Sequence, residues 1–182
     1  AGATFDHLLG QTPNWVIIKP MTEAEGWVVY HEATGNTGGT FLNTSGAFGS
    51  GSHYFNNTSP TSSLFTVSGH IMINGSGEEM IAYCWCEKPG FSKFGSFEGN
   101  GNADGPVIEL GFKPSWIMVK GVDSSSRPWV MHDAVRNPFN VTDLNLIAND
   151  TSAEASSNLW DFLSNGFKVR DSLAGDNNNN ET

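Results

Sequence analysis

The sequence predicts an all-β protein, an antiparallel β-sandwich built from two duplicated halves. Three observations lead to this fold class. Only 15% of the 182 residues are charged while 21 are glycine, a composition that favours strands and tight turns over surface helices. Short apolar runs alternate with Gly-, Asn- and Ser-rich turns. Most of this pattern also occurs twice, as expected when two related halves complete one core.

The duplication is clearest where GQTPNWVIIK near the start returns as GFKPSWIMVK. At an offset of 101, Pro13, Trp15 and Lys19 match Pro114, Trp116 and Lys120. Further on, Trp27 matches Trp129, Asn43 matches Asn149, and LFTV matches GFKV. The repeat covers approximately residues 9–87 and 110–182, and we predict a single sandwich domain over 1–182.

The strands are predicted from β-branched and aromatic runs bounded by turn residues. NWVIIK carries apolar side chains on both faces, which indicates a central strand covered on both sides. The predicted strands span residues 14–19, 26–32, 39–43, 63–67, 70–74, 79–87, 92–97, 106–110, 115–121, 128–133, 144–148 and 166–170.

One stretch, residues 151–165, has two interpretations. Thr151 to Glu154 fits a capping box, and Asn165 with Gly166 would end a short helix. The matching stretch of the first half has an irregular pattern, which favours a loop instead.

Composition excludes some partners. The net charge is −10 and the nine basic residues are scattered, so neither nucleic acid nor an anionic membrane surface is expected to bind. No apolar run reaches the roughly 18 residues of a membrane span, and the start of the sequence does not resemble a signal peptide. We therefore expect no membrane insertion.

The two cysteines, Cys84 and Cys86, lie in MIAYCWCE. Two residues apart on one strand, they are about 7 Å from each other, which is poor geometry for a disulfide. Zinc ligation would need a second pair of ligands, so buried free thiols are the preferred interpretation.

The order of these segments resembles a known family. GQTPNWVIIK, WVVYH, PTSSLFTV, INGSGEEMIAYCWCE, GFSKFGSFEGNGNADGPVIELGFKPSWIMVK and DFLSNGFKV are similar to a domain of unknown function in tail-fibre and other virion-surface proteins of tailed, mostly marine, phages. That family often lies beside concanavalin-like (LamG-like) modules, so the resemblance implies a jelly-roll or concanavalin-like sandwich at a virion surface, which is extracellular. It implies no catalytic residues.

The second half departs from the first at its end. After EE, the first half continues into MIAYCWCE, whereas the sequence here stops at NNNNET. We expect either a fragment of a longer chain or a domain that another strand completes, because an unpaired edge favours association with other chains.

EGNGNADG resembles the beginning of a calcium loop. Asn100, Asn102 and Asp104 alternate before Gly105, so their oxygens could turn towards one Ca²⁺ ion. The position expected to hold the closing glutamate is Gly111, however, and a Gly/Asn turn accounts for the same residues.

A long Gly/Ser/Asn-rich loop, residues 46–62, is the predicted ligand-binding segment. Such loops on a rigid scaffold commonly carry recognition residues. The predicted binding residues are His53, Tyr54, Phe55, Asn56 and Asn57. The alternative is an ordinary solvated loop with one buried aromatic side chain.

His31-Glu32 and His132-Asp133 are pairs that acid–base catalysis can use. Their repetition in both halves favours structural roles, and their spacing from Trp27 and Trp129 differs by one residue. Either a bulge restores the phase or the two histidines have different environments.

These observations predict a non-enzymatic structural or adhesion module of a phage virion, in a tail fibre, appendage or decoration, that binds a host-surface glycan or protein. The first alternative is a purely structural assembly module, completed by other virion subunits or by copies of itself. The second is a polysaccharide depolymerase, for which the sequence shows neither a nucleophile elbow nor the E-x-D-x-E pattern of sandwich glycanases.

Overall fold

The computed structural model describes residues 2–172, 177 and 181–182. The all-β class and the antiparallel pairing are confirmed. No helix in this part of the chain is long and apolar enough to cross a membrane. The elements are β1 (Ala3–Asp6), β2 (Trp15–Pro20), β3 (Val28–His31), β4 (Gly35–Phe41), β5 (Gly49–Ser50), β6 (Leu64–Val67), α1 (Ile71–Asn74), β7 (Met80–Trp85), β8 (Val107–Glu109), β9 (Trp116–Lys120), β10 (Trp129–Asp133), β11 (Thr142–Ile147), β12 (Ala155–Leu163) and β13 (Gly166–Val169).

The chain forms two compact units. Unit 1 contains Ala1–Asn43, Phe48–Lys88 and Ser92–Gly95, and unit 2 contains Thr44–Ala47, Pro89–Phe91 and Ser96–Thr182. The single domain over 1–182 stays a prediction.

Unit 1 is a sandwich of two antiparallel sheets. Five strands in the order β5-β4-β3-β2-β7 form one sheet, and β1 pairs with β6 in the other. Because side chains alternate along a strand, β2 directs Val16 and Ile18 to the face that packs on Phe65 and Val67 of β6. This packing forms the core of the unit.

Unit 2 contains one six-stranded antiparallel sheet in the order β8-β13-β12-β11-β10-β9. Ile117 of β9, at one edge, packs in the same core cluster as Phe167 and Val169 of β13, near the other edge. The sheet therefore curls around its own apolar face, with Trp160 fully buried at the centre.

Two hydrogen bonds support the aligned repeat. The Trp27 N–H donates to Asn43 Oδ1 at 2.9 Å, and the Trp129 N–H donates to Asn149 Oδ1 at 2.8 Å. A side-chain amide thus satisfies the same backbone donor in both halves, at the positions that the sequence comparison aligned.

Two of the predicted strands do not form strands in the structure. Residues 70–74, predicted as a strand, form α1, whose first turn is capped by the His70 ring accepting the Met72 N–H at 3.3 Å. Residues 92–97, also predicted as a strand, contribute a single β-bridge at Ser92.

The stretch predicted as a short helix or a loop forms β12. Asn158, Trp160 and Phe162 alternate on its buried side, a period of two that suits a strand. Glu154 forms an ion pair with Arg136 rather than closing a capping box. The predicted helix is therefore wrong.

Candidate functional site

The predicted binding loop is divided between solvent and core. His53, Asn56 and Asn57 are exposed, whereas Tyr54 and Phe55 are 8% and 2% exposed. The expectation that Tyr54 and Phe55 contact a ligand is wrong, because both rings pack in the core of unit 1. Asn56 and Asn57 reverse the chain with φ angles of 53° and 48°, a conformation that asparagine tolerates.

The EGNGNADG turn brings Asn100, Asn102 and Asp104 together, with their oxygens engaged. Asn100 Oδ1 accepts the Asn102 N–H at 3.0 Å, and Asn102 Oδ1 accepts the Asp104 N–H at 2.9 Å. The Asp104 carboxylate pairs with Lys168, whose hydrogen bond and charge lower the Asp104 pKa. The ammonium group of Lys168 thus supplies the positive charge that a calcium ion would bring to this carboxylate.

Within the described residues, no group of three or more His, Cys, Asp or Glu side chains is arranged to hold a metal ion. The calcium site at Asn100, Asn102 and Asp104 stays a prediction.

Unit 1 carries a connected set of four rings, Trp15, Trp27, Tyr83 and Trp85, here called the aromatic row. These side chains belong to the face of the five-stranded sheet opposite the core, because they alternate with core residues along their segments. Tyr83 and Trp85 remain 40% and 38% exposed. The exposed members make the aromatic row a candidate binding surface.

Each ring of the aromatic row contacts the next. Trp27 and Tyr83 are nearly parallel, with centroids 6.4 Å apart and planes at 15°. Tyr83 and Trp85 are 6.0 Å apart at 19°. Trp85 meets Trp15 at 4.6 Å, since these residues are directly opposite in the pairing of β2 with β7. The sheet register therefore fixes the row.

Polar groups surround the Trp15 end of the row. The Asn14 amide donates to Glu32 Oε2 at 2.6 Å, and the Gln11 amide donates to the Glu87 carbonyl at 2.9 Å. Fixed donors and acceptors beside apolar rings are the usual means of orienting a polar ligand.

A family model described as Domain of unknown function (DUF7483) matches residues 1–182. The chain belongs to this family. No curated protein and no solved structure matches the DUF7483 chain.

The two histidines of the DUF7483 chain have different environments. His31 is opposite Trp15 across the β2–β3 pair, while His132 is opposite Ile117 across the regular β9–β10 pair. His132 is 1% exposed and stacks on Trp160 with centroids 5.2 Å apart, and neither of its ring nitrogens has a hydrogen-bond partner among the described residues.

Burial is the main cause that lowers the His132 pKa, to about 4, with a further contribution from Arg136. A neutral, enclosed imidazole packs as an aromatic ring and cannot reach a substrate, which favours the structural role over catalysis.

Both cysteines are free, as preferred from the sequence. Cys86 is buried and Cys84 is half-buried, and burial raises the Cys84 pKa to about 11, so the group is a neutral thiol at physiological pH.

The aromatic row was missed by sequence reasoning. The sequence shows that Tyr83 and Trp85 share one face of a strand, but it does not show that β7 pairs with β2 or in which register. The available signal was the alternation of aromatic residues along the two strands. Assuming that these strands pair would have placed their rings side by side.

Proposed function

We propose that this DUF7483 chain is a non-enzymatic adhesion module of a virion surface that binds a host-surface glycan through the aromatic row. The virion assignment comes from the family resemblance described above. The observation that carries the binding assignment is the set of near-parallel rings with Tyr83 and Trp85 exposed.

The chemistry of a sugar suits this surface. One face of a pyranose ring presents C–H groups, which pack on aromatic faces, and its hydroxyls need hydrogen-bond partners at the margin. The exposed members of the aromatic row, Tyr83 and Trp85, offer apolar ring surface to these C–H groups. Glu32, Asn14 and Gln11 supply polar groups at the Trp15 end.

Charge narrows the ligand class. With a net charge of −10, the chain repels polyanionic glycans, so neutral or amino-sugar-containing polymers are the expected ligands. The exposed His53, Asn56 and Asn57 of the 46–62 loop stay a second predicted contact region.

A glycan array that includes neutral, amino-sugar and acidic polysaccharides provides the first test. Calorimetry on the strongest binder then compares the wild-type chain with the double variant Tyr83→Ala, Trp85→Ala. Two ring contacts at ~0.5–1.5 kcal/mol each predict a loss of affinity of roughly fivefold to 150-fold.

Trp116→Ala is the matched control, because Trp116 is 50% exposed and lies on a different sheet, so its removal leaves glycan affinity unchanged. Equal affinity of the double variant and the wild type would refute the aromatic row as the site. An increase in reducing ends on incubation with the bound polysaccharide would refute the non-enzymatic assignment.

A further inference from the structure

Unit 2 contains a pocket that the proposed glycan binding does not use. Its volume is about 130 Å³. Three parts of unit 2 form it: the segment before β9, the connection between β10 and β11, and β12. Its lining includes Lys113, Asn137, Phe139, Asn140, Thr142 and Phe162. None of these residues belongs to the aromatic row, so the pocket is a separate candidate site.

Hydrogen bonds hold the walls of the pocket in place. The Ala134 N–H donates to the Ser115 carbonyl at 2.9 Å, which ties the β10–β11 connection to the segment before β9. The Asn140 side chain is bound to the Phe162 backbone, because its amide donates to the carbonyl at 3.1 Å and its Oδ1 accepts the N–H at 2.8 Å. A pocket that is held in this way needs little reorganisation when a ligand binds, which favours affinity.

Two polar side chains of the lining are already oriented. The Thr142 hydroxyl donates to the Trp160 carbonyl at 2.9 Å, and the Asn137 amide donates to Asp143 Oδ1 at 2.6 Å. A side-chain amide has two N–H donors. The second N–H of Asn137 has no partner among the described residues, so it is available to an oxygen atom of a ligand.

Lys113 gives the pocket a positive charge. Among the described residues, it is the only charged side chain in the lining, and it forms no ion pair. Lys113 is also exposed, so its ammonium group is accessible. An unpaired ammonium group beside a free amide N–H is suited to an oxyanion, because charge-assisted hydrogen bonds are the stronger kind.

The charge of that oxyanion is limited by Asp143. A hydrogen bond from Ser156 is the main cause that lowers the Asp143 pKa, so this carboxylate is ionised at neutral pH. Asp143 holds the Asn137 amide, and a ligand with two negative charges would meet its repulsion with only Lys113 to offset them. A monoanion such as a carboxylate therefore suits the pocket better than a phosphate dianion.

Two phenylalanine rings supply an apolar part of the lining. Phe162 is buried, whereas Phe139 is 80% exposed. A ligand ring that packs on Phe139 would remove apolar surface from water, which is favourable. The volume of about 130 Å³ is smaller than the roughly 300–1,000 Å³ of pockets that hold drug-sized ligands, so it limits the ligand to about one ring.

We propose that this pocket binds a small monocarboxylate that carries a single apolar ring. The carboxylate meets the Lys113 ammonium group and the free N–H of Asn137, and the ring packs on Phe139 and Phe162. This non-covalent binding is independent of the proposed glycan site, which lies in unit 1.

Benzoate is the probe, because it combines one carboxylate with one apolar ring. Benzamide has the same shape without the charge, and glucuronate carries its carboxylate on a hydroxylated ring. Each compound is titrated into the 182-residue chain and followed by two-dimensional NMR. We expect saturable binding of benzoate in the millimolar range, with the largest shifts at the backbone amides of Asn137 and Asn140. Benzamide should bind at least roughly tenfold more weakly, since it forms no charge-assisted hydrogen bond.

Two variants with matched controls locate the site. Lys113→Met removes the charge, and its control is Lys88→Met, at an exposed lysine of unit 1 that has no ion pair among the described residues. Phe139→Ala removes the exposed ring, and its control is Phe91→Ala, which removes a ring that is 82% exposed and does not line the pocket. Benzoate binding should weaken at least roughly tenfold in Lys113→Met and roughly twofold to tenfold in Phe139→Ala, while both controls bind like the wild type.

The same titrations can overturn the proposal. Absence of saturable benzoate binding at millimolar concentrations would remove the site. Equal affinity for benzamide, or equal benzoate affinity of Lys113→Met and the wild type, would remove the carboxylate contact. Tighter binding of glucuronate than of benzoate would assign the pocket to an acidic sugar, and tighter binding of inorganic phosphate would assign it to an inorganic anion.

Discussion

Acidification should destabilise the chain through one buried side chain, His132. Its folded-state pKa of about 4 lies below the ordinary value of 6.5, mainly because of burial, with Arg136 lowering it and Asp133 and Asp143 opposing that shift. Below pH 6.5 the unfolded chain binds a proton that the folded chain does not bind until about pH 4. Stability is therefore highest above pH 6.5 and falls as the pH decreases through this window.

The magnitude follows from linkage. Between pH 7.5 and 5.3, the difference in proton binding at this site removes about 1.5 kcal/mol of unfolding free energy. The lower pH stays above the sequence pI of about 4.7, where solubility is lowest. Most carboxylates also remain ionised at pH 5.3, so they contribute little to the change.

Urea unfolding followed by circular dichroism at the two pH values measures the effect. Burial also lowers the His31 pKa, so His132→Leu is needed to isolate the contribution of His132. On acidification, the free energy of unfolding of the variant should fall by about 1.5 kcal/mol less than that of the wild type. The same substitution at the exposed His53 is the matched control. If the stability of His132→Leu keeps the full pH dependence of the wild type, the assignment of His132 as a buried neutral imidazole is refuted.

Three further predictions concern the frame. Gly166→Ala should destabilise the chain by about 2 kcal/mol or more, because the added Cβ would lie 2.0 Å from the Ile108 carbonyl oxygen on β8. Gly95→Ala is the control, since its Cβ meets open space, and thermal melts compare the two variants. Asn43→Ala and Asn149→Ala should each lower the free energy of unfolding, measured by chemical denaturation, by about 1 kcal/mol, because each removes the acceptor of one tryptophan backbone N–H. Unequal losses would contradict the structural repeat. Burial and the neighbouring Arg127 lower the Lys120 pKa to about 8. Mass spectrometry after limited acetylation at pH 7.5 should therefore find Lys120 modified before the other lysines. Preferential labelling of Lys113 would contradict this.

The sequence predicts most of the strands because strands joined by turns have local sequence signals. The matched motifs around Trp15 and Trp116 identify β2 and β9, and the match of Asn43 with Asn149 corresponds to equivalent hydrogen bonds. β12 was missed because a plausible capping sequence at 151–154 outweighed the alternation of buried residues further along. Local pattern alone does not settle such a competition.

Site features depend on information that is not local. Tyr54 and Phe55 pack in the core directly before Asn56 and Asn57, whose left-handed conformations the sequence allows but does not require. The aromatic row depends on the register between β2 and β7, strands separated by some sixty residues. Neither could be predicted from composition or spacing.

Amide hydrogen exchange, followed by NMR, compares the counterpart strands β2 and β9 most directly. The Ile17 N–H faces β7, whereas the Met118 N–H faces the edge of β9 with which no strand of the described residues pairs, so Ile17 should exchange more slowly by about two orders of magnitude or more. Equal protection of both amides would contradict the difference in strand pairing between β2 and β9.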